Sequence, residues 1–224
     1  MKLTSSVKTK ITNDWAELFP ALGVYKPMWL LRRVGPLVTG VCLDRDSGND
    51  AYRPTFHVHS LAQPASSVSL TLAEPLLTVK TGVPETIRSG FHDQRFAEAA
   101  GRFRQQVPID LDAAIGVSDI LLAYRRYMGQ PLGRYPLRLY EDVITLLLIQ
   151  GETAQARCSF DEFQDQVAKW PESINVLRNA GGLCEWSGKC RSWLDNPGIL
   201  LKTVDEQVAL LGLGNIPASS LDSE

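Results

Sequence analysis

Two histidines in Phe56-His57-Val58-His59 are the residues best placed by type and spacing for chemistry. On a strand, alternation sends both imidazoles to one face and Phe56 and Val58 to the other. Neutral imidazole nitrogens are zinc and iron ligands. His92 as a third nitrogen, or Asp44, Asp46 or Asp50 as carboxylates, would complete a hydrolytic zinc or iron centre. A plainer reading puts Phe56 and Val58 in the core and both rings on the outer face, hydrogen-bonded to water or neighbours. A metal centre needs three or four convergent ligands and the diagnostic spacing supplies two, so the plainer reading is preferred.

Other chemistry-bearing residues are more dispersed. Cys42, Cys158, Cys184 and Cys190 are scattered through a chain large enough to fold without disulfides, which predicts reduced, mostly buried thiols. Cys184 and Cys190 frame a spacing longer than the roughly two to four residues usual between zinc-binding cysteines. The run from Asp44 to Asp50 has oxygen side chains at alternate positions but carries Asn49 and Thr55 where a calcium loop needs Gly and an acid, and reads as a solvated connection. Gly-x-Ser-x-Gly, P-loop and dinucleotide-binding glycine motifs are absent from the sequence.

Arginine and tryptophan suggest binding instead. Arg32, Arg33, Arg125, Arg126, Arg134 and Arg138 would form an anion- or acid-binding surface if they converge, because guanidinium groups pair carboxylates and phosphates bidentately. Trp186 and Trp193 fall in and after a Gly-rich stretch read as a loop, where an aromatic is a core plug or an interface anchor.

The elements expected to carry these residues change period along the chain. Asn13 is expected to cap a short opening helix through Phe19. Met28 to Val34 and Leu37 to Leu43, separated by Gly35-Pro36, read as a β-hairpin; Pro54 to Leu61 and the alternating Val68, Leu70 and Leu72 read as two more strands. Beyond Gly90 the spacing turns helical, with Asp93 as a cap, a helix from about Leu111 to Met128, and a third around Leu139 to Gln150. Ser159-Phe160-Asp161-Glu162 and Thr203-Val204-Asp205-Glu206 fit capping boxes that would start two further helices. Residues 218–224 are expected to fray. The fold class is therefore α+β: an antiparallel meander of about four strands packed against a helix-rich C-terminal part, as a single domain over 1–224. An internal boundary, if present, falls at 74–91 between a β-rich part, 1–73, and a helical part, 92–214.

The 224 residues are 44% hydrophobic and 21% charged with a formal net charge of −2, which disfavours nucleic acid as a partner, since phosphate affinity rests on concentrated Lys and Arg. No secretory signal pattern opens the sequence, and its longest apolar run, Val143 to Ile149, is far short of the roughly 20 residues of a membrane span. A cytoplasmic protein without membrane attachment is expected. In size and in its helix-then-meander order the chain resembles bacterial immunity proteins that bind and block a cognate toxin, which would imply a specific protein partner. The leading expectation is a non-enzymatic interaction module with no cofactor. The alternatives are a metal-dependent, hydrolase-like enzyme at His57 and His59, and RNA or anionic-ligand binding by the arginines.

Overall fold

The computed structural model describes residues 3–45, 50–130 and 135–222. It shows an α+β protein with an antiparallel sheet in the N-terminal half and most helices in the C-terminal half. Helix α1 (Ser5–Leu18) starts after Thr4, whose hydroxyl accepts the Val7 N–H; Asn13 lies inside it and caps nothing. Its buried residues Ile11 and Trp15 are four apart, one turn on the same face.

Strands β1 (Gly23–Lys26), β2 (Trp29–Val34), β3 (Leu37–Arg45), β4 (Ala51–Ser60) and β5 (Leu72–Pro75) lie in sequence order. The Gly35-Pro36 turn joins β2 to β3 as expected, with φ +54° at Gly35. Gly40 on β3 is obligatory, because a Cβ there would come within 2.0 Å of the Leu30 carbonyl oxygen. The fourth strand is displaced: it pairs through 72–75, and the alternating Ser67–Thr71 segment carries no strand. The sheet's edges are extended by β6 (Ile87–Arg88) on β4 and by β7 (Ala218–Ser219), parallel to β2. Residues 218–219, expected to fray, are thus held by Arg33 N–H donating to the Pro217 carbonyl and Gly35 N–H to that of Ser219.

One face of the sheet is covered by α1 and α2 (His92–Gln106), whose Trp15, Phe19 and Phe103 rings pack at centroid distances of 5.9–6.1 Å. Helix α3 (Val117–Met128) leads to α4 (Leu137–Ile149), the most buried helix, which packs against α5 (Thr153–Val167), α7 (Gly182–Asp195) and α8 (Gly198–Leu210); α6 (Asn175–Asn179) is a short connector. Later helix starts also differ from expectation: Asp93 lies in the first turn of α2 rather than capping it, and α3 begins at Val117 rather than near Leu111, after Gly116 whose N–H donates to Asp119. Ser159 and Thr203 sit mid-helix, and the Thr203 hydroxyl donates to the Ile199 carbonyl one turn back. Capping-box spelling recurs inside helices by chance, and here the chain preceding each box was already helical. The Gly-rich stretch 181–188 is likewise helix α7 rather than loop, begun after Gly181 at φ +78°. Buried apolar side chains from Leu3 to Leu221 form one continuous core cluster. Among the described residues no helix is long and apolar enough to cross a membrane.

Candidate interaction surface

Strand β4 keeps an unbroken register with β3 from Tyr52 to Ser60, so side-chain parity is fixed along it. His57 and His59 share one face; Tyr52, Phe56 and Val58 share the other. Both histidines are fully buried rather than on a wet outer face. The His57 ring packs against Trp29 at 5.2 Å, and neither of its nitrogens has a hydrogen-bond partner among the described residues. Burial holds His57 down at about 3, with the nearby His59 adding to the effect. At His59, Nδ1 faces the Ser69 hydroxyl at 2.9 Å and accepts the Ser69 N–H at 3.4 Å, which puts the neutral ring's proton on Nε2. Burial, then Arg138, lowers His59 to about 4. The fold therefore stores two neutral imidazoles side by side.

His92 does not join them. It stands on the opposite side of the sheet, where Tyr52 O–H donates to its Nδ1 at 2.7 Å and its Nε2–H donates to Asp14 at 2.8 Å. The direction follows from Trp15, whose indole N–H donates to the Tyr52 oxygen and leaves the phenol proton for His92. Asp14, His92 and Asp93 bring their ligand atoms within 4.8 Å of one another. Lys10 occupies the position of a cation there, donating to Asp14 at 2.7 Å and also to Asp93. Of the carboxylates considered for a metal, Asp44 is exposed at the end of β3, the Asp50 carbonyl accepts the Ser89 N–H, and Asp46 lies outside the described residues.

The arginines are engaged at separate places. Arg32 is buried and donates to the carbonyls of Asp110 and Ala113, at 3.2 and 2.7 Å; Arg33 is half-buried beside β7. Arg125 is exposed beside a cleft with Tyr140 and Glu162, whereas Arg126 pairs with Glu74 at 3.2 Å. Arg138 reaches Gln63 at 2.5 Å; Arg134 lies outside the described residues. Trp186 and Trp193 are both buried on α7, Trp186 against Phe160, which makes them parts of the core. Of the cysteines, Cys42 and Cys190 are buried, but Cys158 and Cys184 are exposed free thiols on helices, where the expectation was mostly buried ones.

Arg138 belongs to a buried polar joint that the helical periodicity concealed. Its partner Gln63, from the loop after β4, also donates from Nε2 to Asp142 at 3.2 Å and accepts from Lys189 at 3.2 Å. Lys189 further donates to Glu141 at 2.8 Å, and the Tyr124 hydroxyl to Asp142 at 3.4 Å. Burial raises Asp142 to about 7, against the opposing pull of Arg138. Four segments thus meet around one sealed carboxyl, which reads chemically as a joint between sheet and helices.

The exposed feature with most binding character is an arm at residues 76–85, inside the stretch read as a boundary. Thr78 N–H donates to the Val83 carbonyl at 2.9 Å, Glu85 N–H to that of Leu76 at 2.7 Å, and Gly82 turns the tip at φ +65°. Leu76 is buried at the base, while Leu77, Val79 and Val83 are 38%, 79% and 54% exposed. The Gln106 side chain grips the arm from α2 as a neighbouring strand would: Oε1 accepts the Leu77 N–H at 2.9 Å and Nε2 donates to the Leu77 carbonyl at 3.1 Å. A cleft of about 490 Å³ lies between the arm, Phe103 and Arg126. At the base of the arm Glu85 is buried between Arg95 at 3.2 Å and Arg102 at 2.5 Å. Arg95 and Arg126 remain about half exposed while their acids Glu85 and Glu74 are covered, and Lys80 at the tip is exposed; against these three cations the exposed acid is Glu98, which pairs with Arg102, so the charge turned outward is mainly positive. The alternation Leu76-Thr78 against Leu77-Val79, closed by Gly82, was the sequence signal for this arm.

Comparison with protein-family models, with curated proteins and with solved structures finds no match to this chain.

Proposed function

We propose that this chain is a non-enzymatic protein-interaction module whose 76–85 arm docks an acidic protein partner. The observation that carries the reading is the exposure of Val79 and Val83 on one short projection. Single exposed apolar residues are ordinary; a contiguous group rimmed by charge is a mark of contact surfaces. The outward cations Lys80, Arg95 and Arg126 favour an acidic face opposite, through steering and register more than through raw affinity. The metal-dependent alternative has less support, since His57 and His59 are separated from His92 by the sheet. An inhibitor-type role, in which docking blocks the partner's own site, is the narrower form of the same proposal.

A photo-crosslinking residue placed at Val79 in the full chain, exposed to native lysate, tests this against the same residue at Leu210 on α8. The reading expects one acidic protein joined from position 79 and not from 210, lost on Val83→Asp and weakened by added salt. Identical products from both positions, or a product indifferent to Val83→Asp, would remove it.

A further inference from the structure

A cleft of about 560 Å³ lies where α1 begins and the β1–β2 turn meets the outer end of β3, and it shares no lining residue with the cleft beside the 76–85 arm. Three cations line it: Lys8 from α1, Lys26 from the end of β1 and Arg45 from the end of β3. Among the described residues none of the three makes a salt bridge, although Lys10, Arg95, Arg102, Arg104, Arg126, Arg138 and Lys189 all do. Lys26 is nevertheless placed: its Nζ lies 4.5 Å from the centroid of the Trp29 ring and 5.4 Å from that of Tyr25. A ring face holds an ammonium in position but accepts none of its hydrogen bonds fully, so its donors remain available. Trp29 is itself packed against buried His57 in a T-shaped contact. Cys42 forms part of the floor, and the one acid among the described lining residues is Asp44. Cys42 has its thiol pushed up to about 12 by burial and then by Asp44, with Lys26 and Arg45 opposing; the floor is neutral and the charge sits at the rim.

Among the described lining residues, three cations without a salt bridge stand against one carboxylate, a local excess of two positive charges on a protein whose formal net charge is −2. A concave wall of low polarizability concentrates such a field on what enters it. From this cationic cleft we propose a binding site for a small molecule bearing two or more linked phosphates, held by Lys8, Lys26 and Arg45. Lysine supplies a point charge that follows any phosphate oxygen, and Arg45 supplies the planar fork that grips two at once. Three cations match the charge carried by a diphosphate better than the smaller charge of a single phosphate. The proposal does not depend on the 76–85 arm.

Calorimetric titration of the full-length protein with pyrophosphate, ATP and citrate at low salt tests it. Saturable binding of pyrophosphate is expected, at least as tight for ATP, and weaker for citrate, whose carboxylates are spread over a branched carbon frame. The Lys26→Gln and Arg45→Gln variants should each bind about tenfold more weakly, in keeping with loss of one charge-assisted contact. Lys202→Gln on α8, which removes an equal charge elsewhere, should bind as wild type. All four proteins should melt together, because the side chains changed are exposed. ATP binding tighter than pyrophosphate identifies a nucleotide source, and equal binding identifies the phosphate chain itself. Absence of saturable binding, citrate binding as tightly as pyrophosphate, or Lys202→Gln weakening binding as much as Lys26→Gln would each overturn the assignment.

Discussion

Asp14 and His92 stand 78 residues apart in the chain, and the carboxylate of one accepts the ring N–H of the other at 2.8 Å. This contact joins α1 to α2, and through Tyr52 it reaches the central strand β4. Burial alone would raise the Asp14 carboxyl, but the hydrogen bonds from Lys10 and His92 outweigh it and hold the group below its ordinary range.

Removing either end should cost stability without disturbing the rest of the sheet. Asp14→Ala leaves the buried His92 Nε2–H without its acceptor, and an unsatisfied buried donor costs about 1–3 kcal/mol. Asp14→Asn keeps an acceptor oxygen and should lose less. Urea denaturation of both variants checks the order; equal losses would mean that the charge on Asp14, rather than the hydrogen bond, does the holding.

The pH dependence of stability has two opposing sources. His57 and His59 have folded values near 3 and 4, below the ordinary 6.5, so the unfolded chain binds their protons first. Their contribution is present above pH 6.5 and is lost as the pH falls toward 4. Asp142 works the other way: its folded value near 7 lies above the ordinary 3.8, so its contribution is present below about pH 4 and is lost as the pH rises through 7. The groups facing Asp142 are Arg138 and Glu141 on its own helix, Tyr124 on α3, Gln63 in the loop after β4, and Lys189 on α7, joined through Gln63 and Glu141. Asp142→Asn removes the second source alone. Its stability relative to wild type should therefore rise between pH 5 and pH 8, by more than about 1 kcal/mol. Denaturant midpoints at the two pH values measure this, and a constant difference would show that Asp142 titrates near its ordinary value.

Helix starts give a third test, and a measure of what sequence can reveal. Ser159 is inside α5, so Ser159→Ala should change stability by less than about 0.5 kcal/mol, because alanine is the better helix former. Thr4→Ala should cost about 1 kcal/mol, because Thr4 is the cap that α1 uses. Thermal unfolding of the two variants in parallel would reverse this order if α5 began at Ser159.

Local features were legible where local physics decides them. Gly35-Pro36 places the β2–β3 turn whatever surrounds it, and alternation places His57 with His59 on one face. The burial of that face was not legible, because it depends on segments far along the chain. Nor was the pairing of His92 with Tyr52 across 40 residues, or of Gln63 with Asp142 across 79. Glu141 and Asp142 lie between Leu139 and Val143, and a periodic apolar stripe gives no sign that adjacent acids are buried with it. Gly181 and Gly182 read as loop because glycine lowers helix propensity, yet packing of Trp186 and Cys190 carries α7 through.

Gln106 offers the sharpest test of the arm. Its amide satisfies both backbone groups of Leu77, whereas the tip beyond is held by its own bonds between Thr78, Gly82 and Val83. Gln106→Ala should therefore release the base of the arm from α2 without unfolding the protein, since Leu77 and Gln106 both lie near the surface and Leu76 remains buried in the core. The melting temperature should fall only slightly, as one exposed pair of hydrogen bonds contributes about 1 kcal/mol. Amide exchange at Leu77 should accelerate by roughly tenfold, the factor that about 1.4 kcal/mol of lost local protection produces, while exchange in β3 and β4 stays unchanged. Unchanged exchange at Leu77 would mean that the arm's own ladder, including the Glu85 N–H to Leu76 bond, holds it upright without help from α2. In that case its orientation toward a partner would be a property of the hairpin alone.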